Sequence, residues 1–268
     1  MQIGNEVGLR DVQAVYSGPE CDLWELIMGR QIHIGGAGSS HQLADAAGIG
    51  PGMTGVDLCC CTGAGMSFLV RFREVEQMHG VDATAAVVDR GRLRCEQDKL
   101  AERIDFTVAD ACKTGLPAAA ADFVWGEDAW CYVVDKTALI AEAVRLVKPG
   151  GAIAFTDWVE GPAGLSDEEA KRFMAFMKFP NIQDLHGYRE LLNNNECDVA
   201  VCEDTKKFAP YMDLYLNMLE MQFTYDALRI IGFDNDMFAA MAAEMKFMQE
   251  LAHAGKIAQG RIVARKAG

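Results

Sequence analysis

The residues best suited to chemistry in this sequence lie where a short apolar run gives way to small residues: Val56-Asp57-Leu58-Cys59-Cys60-Cys61-Thr62-Gly63-Ala64-Gly65. A strand that runs through such a turn into a helix brings backbone N–H groups against a ligand. Glycine permits the approach because no side chain blocks it. Further along, Gly80-Val81-Asp82 sets a carboxylate at the end of a second strand, with Ala83 beside it. The spacing of about 20 residues is the one at which a carboxylate hydrogen-bonds the hydroxyls of a ribose. Asp110-Ala111 follows a third strand and offers a backbone and a carboxylate to an adenine amino group. Together the three describe an adenosine site. No lysine follows the first glycine turn as in a P-loop, and no phosphate-binding arginine accompanies it. A rim of carboxylates favours a cationic adenosine ligand over a dinucleotide.

Periodicity supplies the elements that must hold these residues. Thr54–Cys60, Gln77–Asp82, Ile104–Ala109, Phe123–Gly126 and Ala152–Thr156 read as short strands. Helices are expected over Met66–Arg73, from after Asp82 to about Ala101, and over Lys136–Val147. In the last of these Leu139, Ile140, Ala143, Val144 and Val147 recur at helical spacing, and the Pro149-Gly150-Gly151 turn stops it. Alternating strands and helices predict a doubly wound, Rossmann-like α/β fold with a mostly parallel sheet, whose ligands sit at the carboxyl ends of the strands. Residues 1–50 read as an N-terminal helical cap and 51–158 as the cofactor-binding core. Residues 159–235 read as a mainly helical lid containing one core strand near 198–202, and 236–268 as a helix and strand that complete the core.

Charge narrows the partners. A net charge of −14 opposes binding to nucleic acid or to an anionic membrane, both of which require clustered Lys and Arg. No run of 18 apolar residues is present, and Met1–Arg10 lacks the apolar stretch of a signal peptide. The nine cysteines show no disulfide framework, so a reducing cytoplasm is the expected setting. Cys59–Cys61 are not expected to bind metal, because adjacent strand residues point to opposite faces and tetrahedral sites favour spaced pairs. Monomer and homo-oligomer both remain open.

In order and spacing, Asp57 through Gly65, Gly80-Val81-Asp82, Asp110-Ala111 and Leu146-Val147-Lys148-Pro149-Gly150-Gly151 resemble the motifs of class I S-adenosylmethionine-dependent methyltransferases. Trp125-Gly126-Glu127-Asp128-Ala129 and Phe155-Thr156-Asp157-Trp158 are similar to the branch that methylates small amines. So are Arg30-Gln31-Ile32-His33-Ile34-Gly35, Ala254-Gly255-Lys256 and Val263-Ala264-Arg265-Lys266. Within that branch the chain resembles sarcosine/dimethylglycine N-methyltransferases and related glycine and phosphoethanolamine enzymes. The resemblance implies S-adenosyl-L-methionine as cofactor, held by Asp57, Cys59, Cys61, Gly63, Asp82, Ala83, Asp110, Ala111 and Glu127. One departure stands out: Cys59 and Cys61 occupy positions where the family has glycines. Cysteine is strained wherever such a position requires positive φ.

The resemblance also implies a small-molecule methyl acceptor. An amine must be unprotonated to attack, and Asp128, Glu127 and His33 are the candidates to accept its proton or orient it. Asp128 is preferred; its alternative role is to cap the helix that follows. Tyr16, Trp24, Trp130, Tyr132, Trp158 and Tyr188 are expected near the mouth, where rings suit a methylated ammonium. A carboxylate-bearing acceptor requires a basic partner, for which Arg30 and Arg189 are available. Met174, Met177, Met212, Met218 and Met221 fall in the lid. If they line the pocket, the acceptor is apolar, and C- or O-methylation of a sterol, quinone or tocopherol type becomes the alternative. A non-catalytic binding protein on the same fold is the other.

Overall fold

Short apolar runs between residues 54 and 160 contain residues that alternate between two environments, the signature of strands buried on both faces. The computed structural model describes residues 7–268; residues 1–6 of the expected cap lie outside them. Three helices come first: α1 (Leu9–Ser17), α2 (Pro19–Met28) and α3 (Gly36–Ala47). An alternating series follows: β1 (Thr54–Leu58), α4 (Ala64–Phe72), β2 (Gln77–Asp82), α5 (Ala85–Gln97), β3 (Ile104–Val108), β4 (Ala121–Glu127), α6 (Lys136–Leu146) and β5 (Val147–Glu160). Then come α7 (Asp167–Met177), β6 (Gln183–Asp184), α8 (Leu185–Asn193) and β7 (Cys197–Asp204). The chain closes with α9 (Phe208–Met221), α10 (Thr224–Ile230), α11 (Asn235–His253) and β8 (Ile257–Lys266).

The strands form one sheet in the order β3-β2-β1-β4-β5-β8-β7, with β6 pairing to β5. β1 to β5 are mutually parallel, whereas β8 is antiparallel to both of its neighbours. This is the expected α/β architecture. Phe123, Trp125, Ala152 and Ala154 face one side of the sheet, where α3, α4 and α5 pack. Val124, Ile153 and Phe155 face the other, against Leu139, Ile140, Ala143 and Leu146 of α6 and Tyr188 and Leu192 of α8. No helix of the described residues is long and apolar enough to cross a membrane.

Two elements differ from their expected bounds for tertiary reasons. The strand expected over Ala152–Thr156 extends to Glu160, because it pairs with β8 from Ala152↔Arg265 to Glu160↔Ile257. Its distal part contains the buried polar residues Thr156 and Asp157, which hide the apolar signal. The Pro149-Gly150-Gly151 stretch lies within β5 as an irregularity, since pairing passes from Ala121↔Val147 to Phe123↔Ala152. The strand expected to reach Cys60 ends at Leu58, where the backbone turns left-handed at Cys59.

A third apolar cluster joins α2 to α7, α9, α10 and α11 around Trp158. Trp158 meets Phe208 edge-on with ring centroids 4.6 Å apart, and Phe173 and Phe179 complete the aromatic packing. Met174, Met177 and Met212 are buried in this cluster, while Met221 projects from α9 with 78% exposure. Met174 and Met212 therefore serve as packing, whereas Met177 also walls a small cavity beside Trp158.

Asp157 joins β5 to the turn after β4. It accepts hydrogen bonds from the Cys131 backbone N–H at 3.0 Å and from the Tyr188 hydroxyl. Lys136, also buried, donates to the Cys131 carbonyl at 3.2 Å. Burial raises the Asp157 carboxyl to about 6, even though the Tyr188 hydrogen bond and Lys136 oppose the shift. A carboxyl whose pKa is raised by folding contributes stability that is complete below its unfolded value, about 3.9, and is lost as pH rises through about 6. Relative to an Asp157→Asn variant, the native protein should gain up to about 3 kcal/mol between pH 7 and pH 4. Urea unfolding of both proteins at the two pH values checks this, and parallel pH profiles would refute it.

Candidate active site

A cavity of about 390 Å³ opens at the carboxyl ends of β1, β2, β3 and β4. β1 lies between β2 and β4, so the helices following β1 and β4 leave toward opposite faces and a crevice remains between them. Asp57, Cys59, Cys61, Asp82, Ala83, Asp110, Ala111, Glu127 and Asp128 all line it, as do Tyr16, Arg30 and His33. Gly63 does not line it; it shapes the turn beneath with φ +76, and Phe106 packs directly against it.

The turn after β1 is held from β2. Cys59 and Cys60 donate their backbone N–H groups to the Val81 carbonyl at 2.8 and 3.1 Å. Cys61 donates its own to Asp82 Oδ2 at 2.9 Å, and Thr84 donates to Asp82 Oδ1 at 2.8 Å. Asp82 thus fixes the turn while its remaining lone pairs face the cavity. Cys59 and Cys61 adopt φ +64 and +48, the left-handed conformation expected of glycine. Each costs of order 1–2 kcal/mol, which the surrounding hydrogen bonds offset.

The floor of the cavity is acidic. Asp57 is almost fully buried, and burial, with the charges of Glu127 and Asp82 adding to it, pushes its carboxyl well above the usual range. No hydrogen bond relieves it. Glu127 Oε1 accepts from the Ser40 hydroxyl at 2.6 Å and lies 3.3 Å from His33 Nε2. Its other oxygen faces Gly65, where an added Cβ would stand 2.7 Å from Oε2 and 3.4 Å from Trp125 Nε1. That indole N–H is buried without a partner.

Asp128 follows with φ +51 and does not cap a helix; Asp135 caps α6 instead. The Asp128 carboxylate accepts the Ile34 N–H at 2.7 Å and Gln259 Nε2 at 2.9 Å. Burial raises its pKa, against the opposing effects of His33 and these donors. Asp128 also borders a small annex of about 20 Å³ whose walls include the rings of Tyr16, Trp24, Tyr132 and Trp158. Tyr16 and Tyr132 meet edge-on at 5.4 Å and line both spaces.

Trp130, Tyr188 and Arg189 are not brought to the cavity. Trp130 stacks on Phe155 at 4.0 Å and donates its indole N–H to the Leu58 carbonyl. Tyr188 is consumed by Asp157, and Arg189 is exposed on α8 beside Cys202. Ser40 and Gln259, which fix Glu127 and Asp128, had no sequence signal: they stand 87 and 131 residues from their partners and belong to no motif.

The family model described as a methyltransferase domain matches residues 56–155. The likeness to methyltransferase domains covers less than half of the chain. The remainder of the chain wraps this segment with the cap, the lid and the antiparallel β8. Phosphoethanolamine N-methyltransferase of Triticum aestivum is 27% identical over 200 residues, covering 73% of this chain and 38% of that protein. Dimethylglycine N-methyltransferase of Parasynechococcus marenigrum is 38% identical over 120 residues, covering 44% of this chain and 42% of that protein. The chain therefore spans about 40% of the length of the curated relatives it matches. Phosphoethanolamine N-methyltransferase 2 of Haemonchus contortus, solved with phosphomonomethylethanolamine and S-adenosylhomocysteine, superposes with a TM-score of 0.83 at 19% identity. That match covers 97% of this chain and 58% of the other, and it establishes the shared class I methyltransferase fold.

The two glycines of the turn have separable roles. Gly63→Ala forces a left-handed alanine whose Cβ stands 2.7 Å from Phe106 Cζ, and should destabilise the fold by about 2 kcal/mol or more. Gly65→Ala lies at the start of α4 and should leave stability within about 1 kcal/mol while weakening S-adenosylhomocysteine binding at least tenfold. Thermal unfolding and calorimetry distinguish them; equal effects of both substitutions on stability would contradict the assignment.

Proposed function

We propose that this protein is an S-adenosylmethionine-dependent methyltransferase that N-methylates a small amine. One observation carries the reading: a cavity floored by buried carboxylates, of which Asp57 has no partner among the described residues, meets at Asp128 an annex walled by aromatic rings. The first space suits a cationic nucleoside and the second suits an amine that gains methyl groups.

The residues fit the cofactor. Asp57 has no partner among the described residues, and Gly65 leaves a space that a Cβ would fill. Asp82 would take the ribose hydroxyls, Asp110 and Ala111 the adenine edge, and Asp57 and Glu127 the ammonium of the methionine part. Bound there, S-adenosylmethionine supplies an electrophilic methyl group on a sulfonium. The protein's part is positional: Asp128 orients the amine, accepts its proton and offsets the positive charge that develops on nitrogen, and the aromatic walls exclude water. His33 is placed to hold Glu127 through Ser40 rather than to meet the acceptor. The phosphoethanolamine and dimethylglycine enzymes among the relatives are named for N-methylation, while others are named for O- or C-methylation; Met174 and Met212 pack in the core, and Asp128 gives the annex a charged wall that favours an amine.

Calorimetry with S-adenosylmethionine and S-adenosylhomocysteine is the decisive measurement. Native protein should bind both in the micromolar range, and Asp82→Ala should weaken both at least about thirtyfold by removing the ribose contact and freeing the Cys61 N–H. Failure of the native protein to bind either would sink the proposal. Because burial raises Asp57, Asp82 and Asp128, acidification neutralises them sooner than ordinary carboxylates. S-adenosylmethionine affinity should therefore decline toward acid pH before an exposed carboxylate would begin to titrate. A flat profile down to the ordinary carboxylate range would count against these groups as its partners.

A further inference from the structure

We infer that the acceptor of this site carries no carboxylate or phosphate: it is a compact amine whose only charge resides on nitrogen. The inference rests on the proposed methyl transfer and narrows its substrate.

The charge census of the two spaces carries it. Six carboxylates line the larger cavity: Asp57, Asp82, Asp110, Glu127, Asp128 and Asp135. Arg30 is its only Lys or Arg, with its side chain 66% exposed and its guanidinium 3.6 Å from Asp98. Among the described residues the annex has no Lys or Arg, and Asp128 is its only charged wall. His33 gives an anion no help, because its Nε2 lies 3.2 Å from the Ser40 hydroxyl and 3.3 Å from Glu127. Lys136 is buried close by but spends its ammonium on the carbonyls of Cys131 and Val133. Arg189, which the sequence offers as a carboxylate partner, stands on α8 outside both spaces.

An acid group carried into this annex would lose its water, meet ring faces that repel anions, and stand close to the Asp128 carboxylate; Lys207, which interacts with Asp128 from beside Gly35, lines neither space. An ammonium meets the opposite field from the same groups. The acceptors in the relatives' names, dimethylglycine and phosphoethanolamine, both carry such an acid group. Among the described residues the cavity offers it Arg30 alone, which already pairs with Asp98, and the annex offers it none. The annex is the smaller of the two spaces, which favours a compact amine.

Matched pairs test the inference. With the full chain and S-adenosylmethionine, initial rates are compared for 2-(dimethylamino)ethanol, dimethylglycine and phosphoethanolamine. In parallel, calorimetry on protein loaded with S-adenosylhomocysteine compares choline with betaine, which differ in the acid group. The neutral-tailed member should lead by at least about 100-fold in kcat/KM and in affinity, and Asp128→Asn should narrow the choline–betaine gap. Equal or faster turnover of dimethylglycine or phosphoethanolamine overturns the inference and leaves methyl transfer standing. If S-adenosylmethionine binds and no amine is methylated, the proposed activity falls, and the choline–betaine pair still decides the preference of the pocket. Choline binding more tightly upholds that preference; parity, tighter betaine or no binding of either overturns it.

Discussion

The buried carboxylate of Asp128 is the joint on which the rest of the arrangement depends. It leaves the end of β4 in a left-handed conformation, with its own N–H bonded to the Thr156 carbonyl of β5 at 2.9 Å. Its oxygens accept the Ile34 N–H from the cap and the Gln259 amide from β8. Gln259 is completely buried and also donates to the Ile34 carbonyl at 2.9 Å. A single side chain therefore ties the start, the middle and the end of the chain together. Hydrogen bonds to a charged group contribute about 1.5–3 kcal/mol each, and a buried donor left without its acceptor is costly. The cap closes over the strand ends because that loss would follow from its opening.

The electrostatics of the site follow from where this joint lies. Asp57, Asp82, Glu127 and Asp128 converge at the carboxyl ends of adjacent strands, and burial raises Asp57, Asp82 and Asp128. Such a cluster is unfavourable in the empty protein and becomes favourable when a cation enters. The left-handed Cys59 and Cys61 add strain at the same place. Local structure here is spent on shaping a binding surface, while the sheet and its two helical layers supply the stability that sustains it.

The aromatic annex forms where the N-terminal helices meet the ends of β4 and β5. Tyr16 comes from α1, Trp24 from α2 and Trp158 from β5, and the Trp158-centred cluster joins α2 to α7 and α9. Packing of Phe173, Phe179 and Phe208 around Trp158 sets the size of the annex.

The sequence by itself determined the parallel core and much of the lining of the cavity at the strand ends. Each of those features is local: a strand of alternating burial, a small-residue turn, and an acid at a strand end a fixed distance on. Asp57, Asp82 and Asp110 are legible because the βα unit places its ligand-facing residues at the same step of each repeat. The tertiary structure decided what depends on distant pairing. β5 reaches Glu160 because β8 lies beside it, and Tyr188 turns away from the cavity because Asp157 is its partner. Trp130 goes to the core because Phe155 offers it a face, and Asp128 becomes a clamp because Ile34 and Gln259 arrive from opposite ends of the chain. A buried hydrogen bond between residues so far apart leaves no periodic trace, since only the folded chain brings donor and acceptor within reach.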